Sequence, residues 1–180
     1  FLLARGDFVG VVDSSNILYK NSINILKEYV TKYETLDFLC GTIKKDNKIY
    51  AGFRPEDIFK QFNIIPSTVV GFYVKLKSLK KVGLLNINYK IQSDYDWLYR
   101  IIVTHKMKGI RTKSEEIFGD LGKSNFSSKF SFYSGLFNEL KIRLHNKQNI
   151  WSLIYIFFGR MIMKSYKVIS KLLNSKKWVN

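Results

Sequence analysis

Residues 8 to 12, Phe-Val-Gly-Val-Val, carry no polar side chain and stop at Asp13. A run without in–out alternation suits a strand covered on both faces, as in the centre of an α/β sheet. It predicts an α/β fold with residues 8 to 12 as a buried central strand. Asp13 would then stand at the strand's carboxyl end, where open α/β sheets bind ligands. Asp13-Ser14-Ser15-Asn16 also has turn and cap chemistry, so Asp13 is either a ligand-facing acid or a helix cap.

The spacing of apolar residues extends this pattern along the chain. Ile17, Leu18, Ile23, Ile25, Leu26 and Val30 predict a helix over residues 17 to 33. Residues 38 to 40 read as a short strand and 43 to 50 as a hairpin turning at Asp46-Asn47. Pro55 opens a short predicted helix to about Phe62, and residues 68 to 74 form a β-rich run. A helix over residues 77 to 82 is stopped by Gly83. Residues 94 to 103 show a helical pattern with Trp97, Leu98, Ile101 and Ile102 on one side and Arg100 on another. Residues 111 to 118 read as an extended segment closing the sheet. Beyond Ser128 two helices are predicted, 130 to 144 and 150 to 173, joined at residues 145 to 148. This divides the chain into a domain over 1–128 and a helical basic tail over 129–180.

The 180 residues suffice for one domain with a real core, and 46% apolar residues exclude a disordered chain. The net charge is +16, and after residue 121 only Glu139 opposes eleven Lys and Arg. Such an end suits anionic partners: nucleic acid, acidic lipid headgroups or phosphorylated sugars. Cys40 is the single cysteine, which excludes an intrachain disulfide and a cysteine metal site and fits a cytoplasmic setting. The first residues lack the apolar run of a signal peptide. A start at Phe1 carries the expectation of a chain that begins inside a domain.

The segment with the most chemistry is Ser93-Asp94-Tyr95-Asp96-Trp97-Leu98-Tyr99-Arg100. Asp94 falls at a predicted helix start, where the helix dipole favours a carboxylate. Asp96 and Arg100 are four apart on one face and can pair. A carboxylate held on a rigid helix start is what a general base requires, and a capping Asp beside an ion pair is the plainer alternative. His105 and His145 are isolated and predict surface positions, with no metal site at either.

Taken together, residues 2 to 125 resemble the second half of the family-2 glycosyltransferases of GT-A fold. Residues 5 to 16, RGDFVGVVDSSN, resemble the family's stretch that leads into an acidic motif. Residues 83 to 100, GLLNINYKIQSDYDWLYR, are similar to its Asp-Tyr-Asp segment ending in Arg. Residues 118 to 124, FGDLGKS, resemble its later glycine loop. Between these, Ile65 to Thr68 and the run Phe72 to Ser78 resemble further family segments in the same order.

The resemblance implies a partial GT-A sheet with C-terminal helices and an inverting, non-processive transferase using a nucleotide-sugar donor. The acceptor would be a glycan or a lipid-linked molecule. It implies that Asp94 is the general base, that Asp13 and Ser15 belong to the donor- and metal-binding motif, and that Asp96, Arg100, Gly122 and Ser124 support the site. The metal would be Mg²⁺ or Mn²⁺, held by Asp13. Ser15-Asn16 stand where the family has Asp-Asp, the motif's usual metal ligand. A catalytically inactive remnant is therefore one alternative. A basic, non-enzymatic module for nucleic acid or another anion is the other. Against nucleic acid, the aromatics sit in apolar runs, and no RNA-binding strand motif or zinc spacing occurs.

In the tail, the apolar stretch 151 to 163 is interrupted by Gly159 and Arg160 and is too short to span a bilayer. Lys164, Lys167, Lys171, Lys176 and Lys177 follow. A basic amphipathic helix over residues 150 to 173 is expected, either lying on an anionic membrane surface or packed on the domain with a solvated Lys face.

Overall fold

A computed structural model describes residues 3–12, 14, 16–45, 47–50, 70–89, 92–122 and 132–176. The predicted helix at residues 55–62 and the segment 65–68 lie outside them. The chain divides into two compact units, Phe1–Ser131 and Phe132–Asn180.

The first unit is built on two sheets. Its elements in chain order are β1 (Phe8–Gly10), β2 (Ile17–Leu18), α1 (Ser22–Lys32), β3 (Phe38–Cys40), β4 (Thr42–Lys45), β5 (Lys48–Tyr50), β6 (Phe72–Lys75), α2 (Leu76–Val82) and α3 (Ser93–Tyr99). The last runs on into a π-helical turn, Arg100–Thr104, and β7 (Gly109–Arg111) and β8 (Ile117–Asp120) complete the unit. One sheet has the order β1-β6-β3-β7, antiparallel except for the β3–β7 pair. The other has the order β2-β8-β4-β5, with β8 and β4 parallel.

The central positions of the first sheet belong to β3 and β6. Phe38, Leu39 and Cys40 are all buried, as are Phe72, Tyr73 and Val74. Because side chains alternate, each strand feeds two cores. On one face Phe38 stacks on Phe72 at 5.3 Å, and Trp97 of α3 meets Phe72 edge-on at 5.7 Å. On the other, Leu39 and Tyr73 pack with Ile25, Leu26, Leu36 and Phe118 beneath α1. Each fully buried large side chain contributes about 2 to 3 kcal/mol relative to exposure, so these two layers hold the unit together.

The expectation of a buried central strand at residues 8 to 12 is corrected. The strand is shorter, Phe8–Gly10, and lies at the end of its sheet among the described residues, paired on one flank only with β6. It is half-buried, and Val12 is exposed. Apolarity reports what covers a strand's faces and is silent on whether both flanks are paired. Gly10 adds no side chain, and Tyr73 closes over it: a Cβ there would stand 2.6 Å from the ring.

The helix expected at residues 17 to 33 begins only at Ser22. Ile17 and Leu18 instead pair with Asp120 and Gly119. Ser22, fully buried, donates its hydroxyl to the carbonyls of Phe118 and Tyr19, which ties the helix start to β8. Long-range pairing has overridden a helical spacing. Other expectations hold. The hairpin turns with Asn47 at φ 61°, and α2 ends where Gly83 takes φ 84°. The extended segment expected at 111 to 118 resolves into the end of β7 and the start of β8.

The second unit is a helical hairpin, α4 (Phe132–His145) and α5 (Ile150–Lys176), close to the two helices expected. Glu139 is buried and accepts from Arg143 Nε at 3.1 Å and Nη2 at 2.8 Å, and from Arg160 Nη2 at 2.5 Å. Lys164 Nζ lies 4.3 Å from the Phe132 ring centre and 3.7 Å from that of Tyr133. These bonds join α4 to α5 through charge and aromatic faces as well as apolar contact.

Candidate functional site

Two places in the first unit correspond to the segments singled out in the sequence. The first is α3. Gln92 precedes it in the left-handed region at φ 65°, which turns the chain sharply into the helix. Asp94 then lies in the first turn, partly buried, and its Oδ1 accepts the Tyr95 N–H at 2.9 Å. One residue before α3's first turn begins, the side-chain oxygen of Gln92 is buried with no hydrogen-bond partner among the described residues.

Behind Asp94 the helix is anchored. Asp96 is 1% exposed and receives Arg100 Nε at 2.9 Å. The same guanidinium donates Nη1 to the carbonyl of Val82 at 2.5 Å and Nη2 to that of Leu84 at 2.6 Å. Arg100 therefore bridges a buried carboxylate and the two carbonyls that flank Gly83, closing the end of α2 onto α3. A planar fork with several donors can do this where a Lys could not. Tyr89 lies close to the pair: burial pushes its phenol up, the Asp96 charge adds to that, and Arg100 opposes it. Trp97, Leu98, Tyr99 and Ile101, almost wholly buried, fix the helix's inner face.

The second place is the corner where β2 meets β8. Asp13, Ser15 and Ser124 lie outside the described residues, so the corner is described through Ser14, Asn16 and Gly122. Asn16, partly buried, accepts the Gly122 N–H through Oδ1 at 3.1 Å. Leu121 N donates to the Lys44 carbonyl at 2.7 Å and Tyr19 N to that of Phe118 at 2.8 Å. The Tyr19 phenol is raised above its ordinary value, chiefly by its hydrogen bond to Asp120. On the same strand's approach, Tyr29 Oη donates to Glu116 Oε2 at 2.6 Å, and Glu116 also receives the Lys113 N–H at 2.9 Å. Burial first and this bond second push Tyr29 up to about 12.

Of the sequence-predicted residues, Asp96 and Arg100 come together as a pair, and Gly122 is joined to the segment preceding β2. Asp94 stands at the helix start expected for it. Asn16 was noted only as standing where the family resemblance has an acid, and Asp120, Tyr19 and Asp37 were not singled out from the sequence. Asp37 receives Ser78 Oγ at 2.5 Å and the Lys108 N–H at 2.8 Å, which links α2 to the entry of β7. No local pattern marks such residues, because their partners lie 41 to 106 positions away in sequence.

A divalent metal would need a cluster of hard oxygen ligands. Among the described residues no group of three His, Cys, Asp or Glu side chains can hold one. Asn16 offers only a neutral oxygen, already engaged with Gly122. The described donors do not fit a metal site.

The fold is similar to that of a solved structure, S. aureus TarS 1-349, with a TM-score of 0.55 at 15% identity. The likeness covers 88% of this chain and 49% of that one, so the chain spans about half the length of the structure it matches. At this identity the likeness shows the fold: a mixed α/β architecture with two sheets. No protein-family model matches the chain, and no curated protein matches it.

Proposed function

We propose that the chain is the acceptor-side part of a GT-A-type, inverting glycosyltransferase of the family-2 kind, with Asp94 as general base. The observation that carries this is Asp94 in the first turn of a helix locked from behind by the buried Asp96–Arg100 bridge. The fold it shares with TarS, a glycosyltransferase, supports the class of reaction. In this reaction the acceptor hydroxyl oxygen forms a bond to the anomeric carbon of a nucleotide-diphosphate sugar. The bond from that carbon to the diphosphate breaks, and the nucleoside diphosphate leaves with the electron pair. The hydroxyl proton passes to the Asp94 carboxylate. Attack opposite the leaving group inverts the anomeric configuration.

Asp96 and Arg100 act as positioning residues, keeping the helix start fixed while Asp94 takes the proton. The Gln92 oxygen, two residues before Asp94, has no hydrogen-bond partner among the described residues. Gly122 and Ser124 belong to the loop that would close over donor or acceptor, with Asp13 and Ser15 on the donor side. No step is routed through a metal. A role for Mg²⁺ or Mn²⁺ at Asp13 is tested by titrating either ion into the donor-bound protein. The acceptor is a glycan or lipid-linked sugar, handled on the cytoplasmic side.

The deciding experiment incubates the protein with a panel of nucleotide-diphosphate sugars and glycan acceptors and follows the anomeric configuration of the product by proton NMR. Inverted product supports the reading, and retained configuration rejects it. One observation favours a second reading, a glycosyltransferase fold that binds without transferring. Asn16 sits where the family resemblance places an acid and is used to hold Gly122. Saturable donor binding with no turnover across the panel would select that reading.

A further inference from the structure

The second unit carries a feature that sugar transfer does not use. On α5, Trp151, Tyr155, Phe158, Ile162, Tyr166 and Ile169 recur every three or four residues and so line one stripe. Each is 54% to 74% exposed. Leu153 and Ile156, on the other side of the helix, are buried, and Arg160 there reaches Glu139 of α4. One face of α5 is thus satisfied by α4, while a second apolar face spans most of a helix about 40 Å long. A continuous exposed apolar face of this size marks a surface for something else.

Charge identifies the occupant. Residues 150 to 176 contain no acid, and the whole hairpin has eight Lys and Arg against Glu139 alone. That single acid is buried between two arginines and offers nothing to a basic partner. Arg160 and Lys164 fall on the side of the helix opposite the stripe, and Lys167, Lys171 and Lys176 add positive charge further along the sequence. A helix that exposes Trp, Tyr, Phe and Ile along one face and whose charged residues are all basic matches the pattern of helices that lie in an anionic lipid interface. A second copy of the hairpin would bring like charges together. No helix among the described residues is long and apolar enough to cross a membrane.

We propose that the stripe on α5 docks peripherally on an anionic lipid surface, with the aromatic residues at headgroup level and the basic charge supplying long-range attraction. The test is co-sedimentation of the full chain with vesicles of phosphatidylcholine alone or with one third phosphatidylglycerol, at low and high salt. The wild type should pellet with the anionic vesicles, and raising the salt should weaken this at least about ten-fold. The variant Tyr155→Ser/Phe158→Ser/Ile162→Ser should lose vesicle binding, and Lys167→Glu/Lys171→Glu should lower it about ten-fold or more. Because the substituted apolar residues are exposed, unchanged helical circular dichroism should accompany the loss, and Trp fluorescence should shift to the blue only when vesicles bind.

Equal binding to neutral and anionic vesicles would overturn the proposal. So would binding that survives the triple substitution. A concentration-dependent dimer that the triple variant abolishes, without vesicle binding by the wild type, would assign the stripe to contact between copies instead.

Discussion

The helix that carries Asp94 and the corner that carries Asn16 stand at the two segments most like a known family, yet they are held in different ways. At α3 the bonds are charged and centre on a buried acid: a carboxylate 1% exposed, a partly buried guanidinium spread over three acceptors, and a wall of aromatic side chains. At the β2–β8 corner the bonds are partly buried and spread over separate groups: an amide oxygen on one N–H, and phenols on Asp120 and Glu116. Buried charged bonds resist displacement because an unpaired partner would be left in a poor solvent. Partly buried bonds exchange with water at less cost. One segment is fixed through a single ion-paired clip, and the other through several independent bonds.

The sharpest break between the two would come from activity. Asp94→Asn keeps the shape and the Tyr95 N–H bond but removes the carboxylate proposed as base. Turnover should fall about 10²- to 10⁴-fold, with donor affinity within about two-fold of wild type. Steady-state kinetics alongside donor titration check this. An unchanged rate would leave α3 a structural helix. The corresponding change at the corner, Asn16→Ala, should affect turnover far less.

Stability should separate them next. Arg100→Ala leaves Asp96 buried without its ion pair and removes the donors to Val82 and Leu84. It should cost about 3 to 5 kcal/mol in urea unfolding. Arg100→Lys should recover only part of this, since an ammonium does not match the three-way fork. A loss under about 1 kcal/mol would mean that the clip contributes no more than a surface pair does.

Much of the first of these regions was legible in the chain, and little of the second. Asp96 and Arg100 are four residues apart, so the helix period alone places them together, and Gly83 marks the end of α2 by its backbone freedom. Residues 38 to 40 were readable as a strand because both faces are apolar. The run at residues 8 to 12 has the same composition, yet its strand is shorter and lies at an edge. Edge or centre depends on what pairs alongside, and β6 lies more than 60 positions away. Ile17 and Leu18 failed in the same way, taken from a helical spacing by β8. The tail was readable as an apolar stretch within a basic amphipathic helix, but only the fold shows which face α4 covers.

A smaller test probes whether the corner is tied by Asn16. Asn16→Ala should cost about 1 kcal/mol through loss of the Gly122 bond. Asn16→Asp keeps an acceptor in place, so its stability should lie within about 0.5 kcal/mol of wild type. It also adds an acid three residues after Asp13 in the sequence, and isothermal titration with Mn²⁺ should then show tighter binding than wild type. Equal Mn²⁺ affinity in the two proteins would show that residue 16 does not set metal binding.

The smallest expected effect is set by pH. Tyr29 loses its proton at about 12 in the folded protein, against an ordinary value of 10.0, because burial and the Glu116 carboxylate both disfavour the phenolate. The folded state therefore holds this proton more tightly than the unfolded state does. Its contribution to stability is complete below pH 10 and is lost as pH rises through about 12. Tyr29→Phe should lower stability by about 1 kcal/mol at pH 8, and the gap to wild type should narrow between pH 10 and pH 12. Urea midpoints for both proteins across that range measure it. A gap that stays constant would show that Tyr29 supports the approach to β8 by packing alone. A gap that closes would show the Glu116 bond at work, and the corner would then be the part of the unit that alkali loosens first.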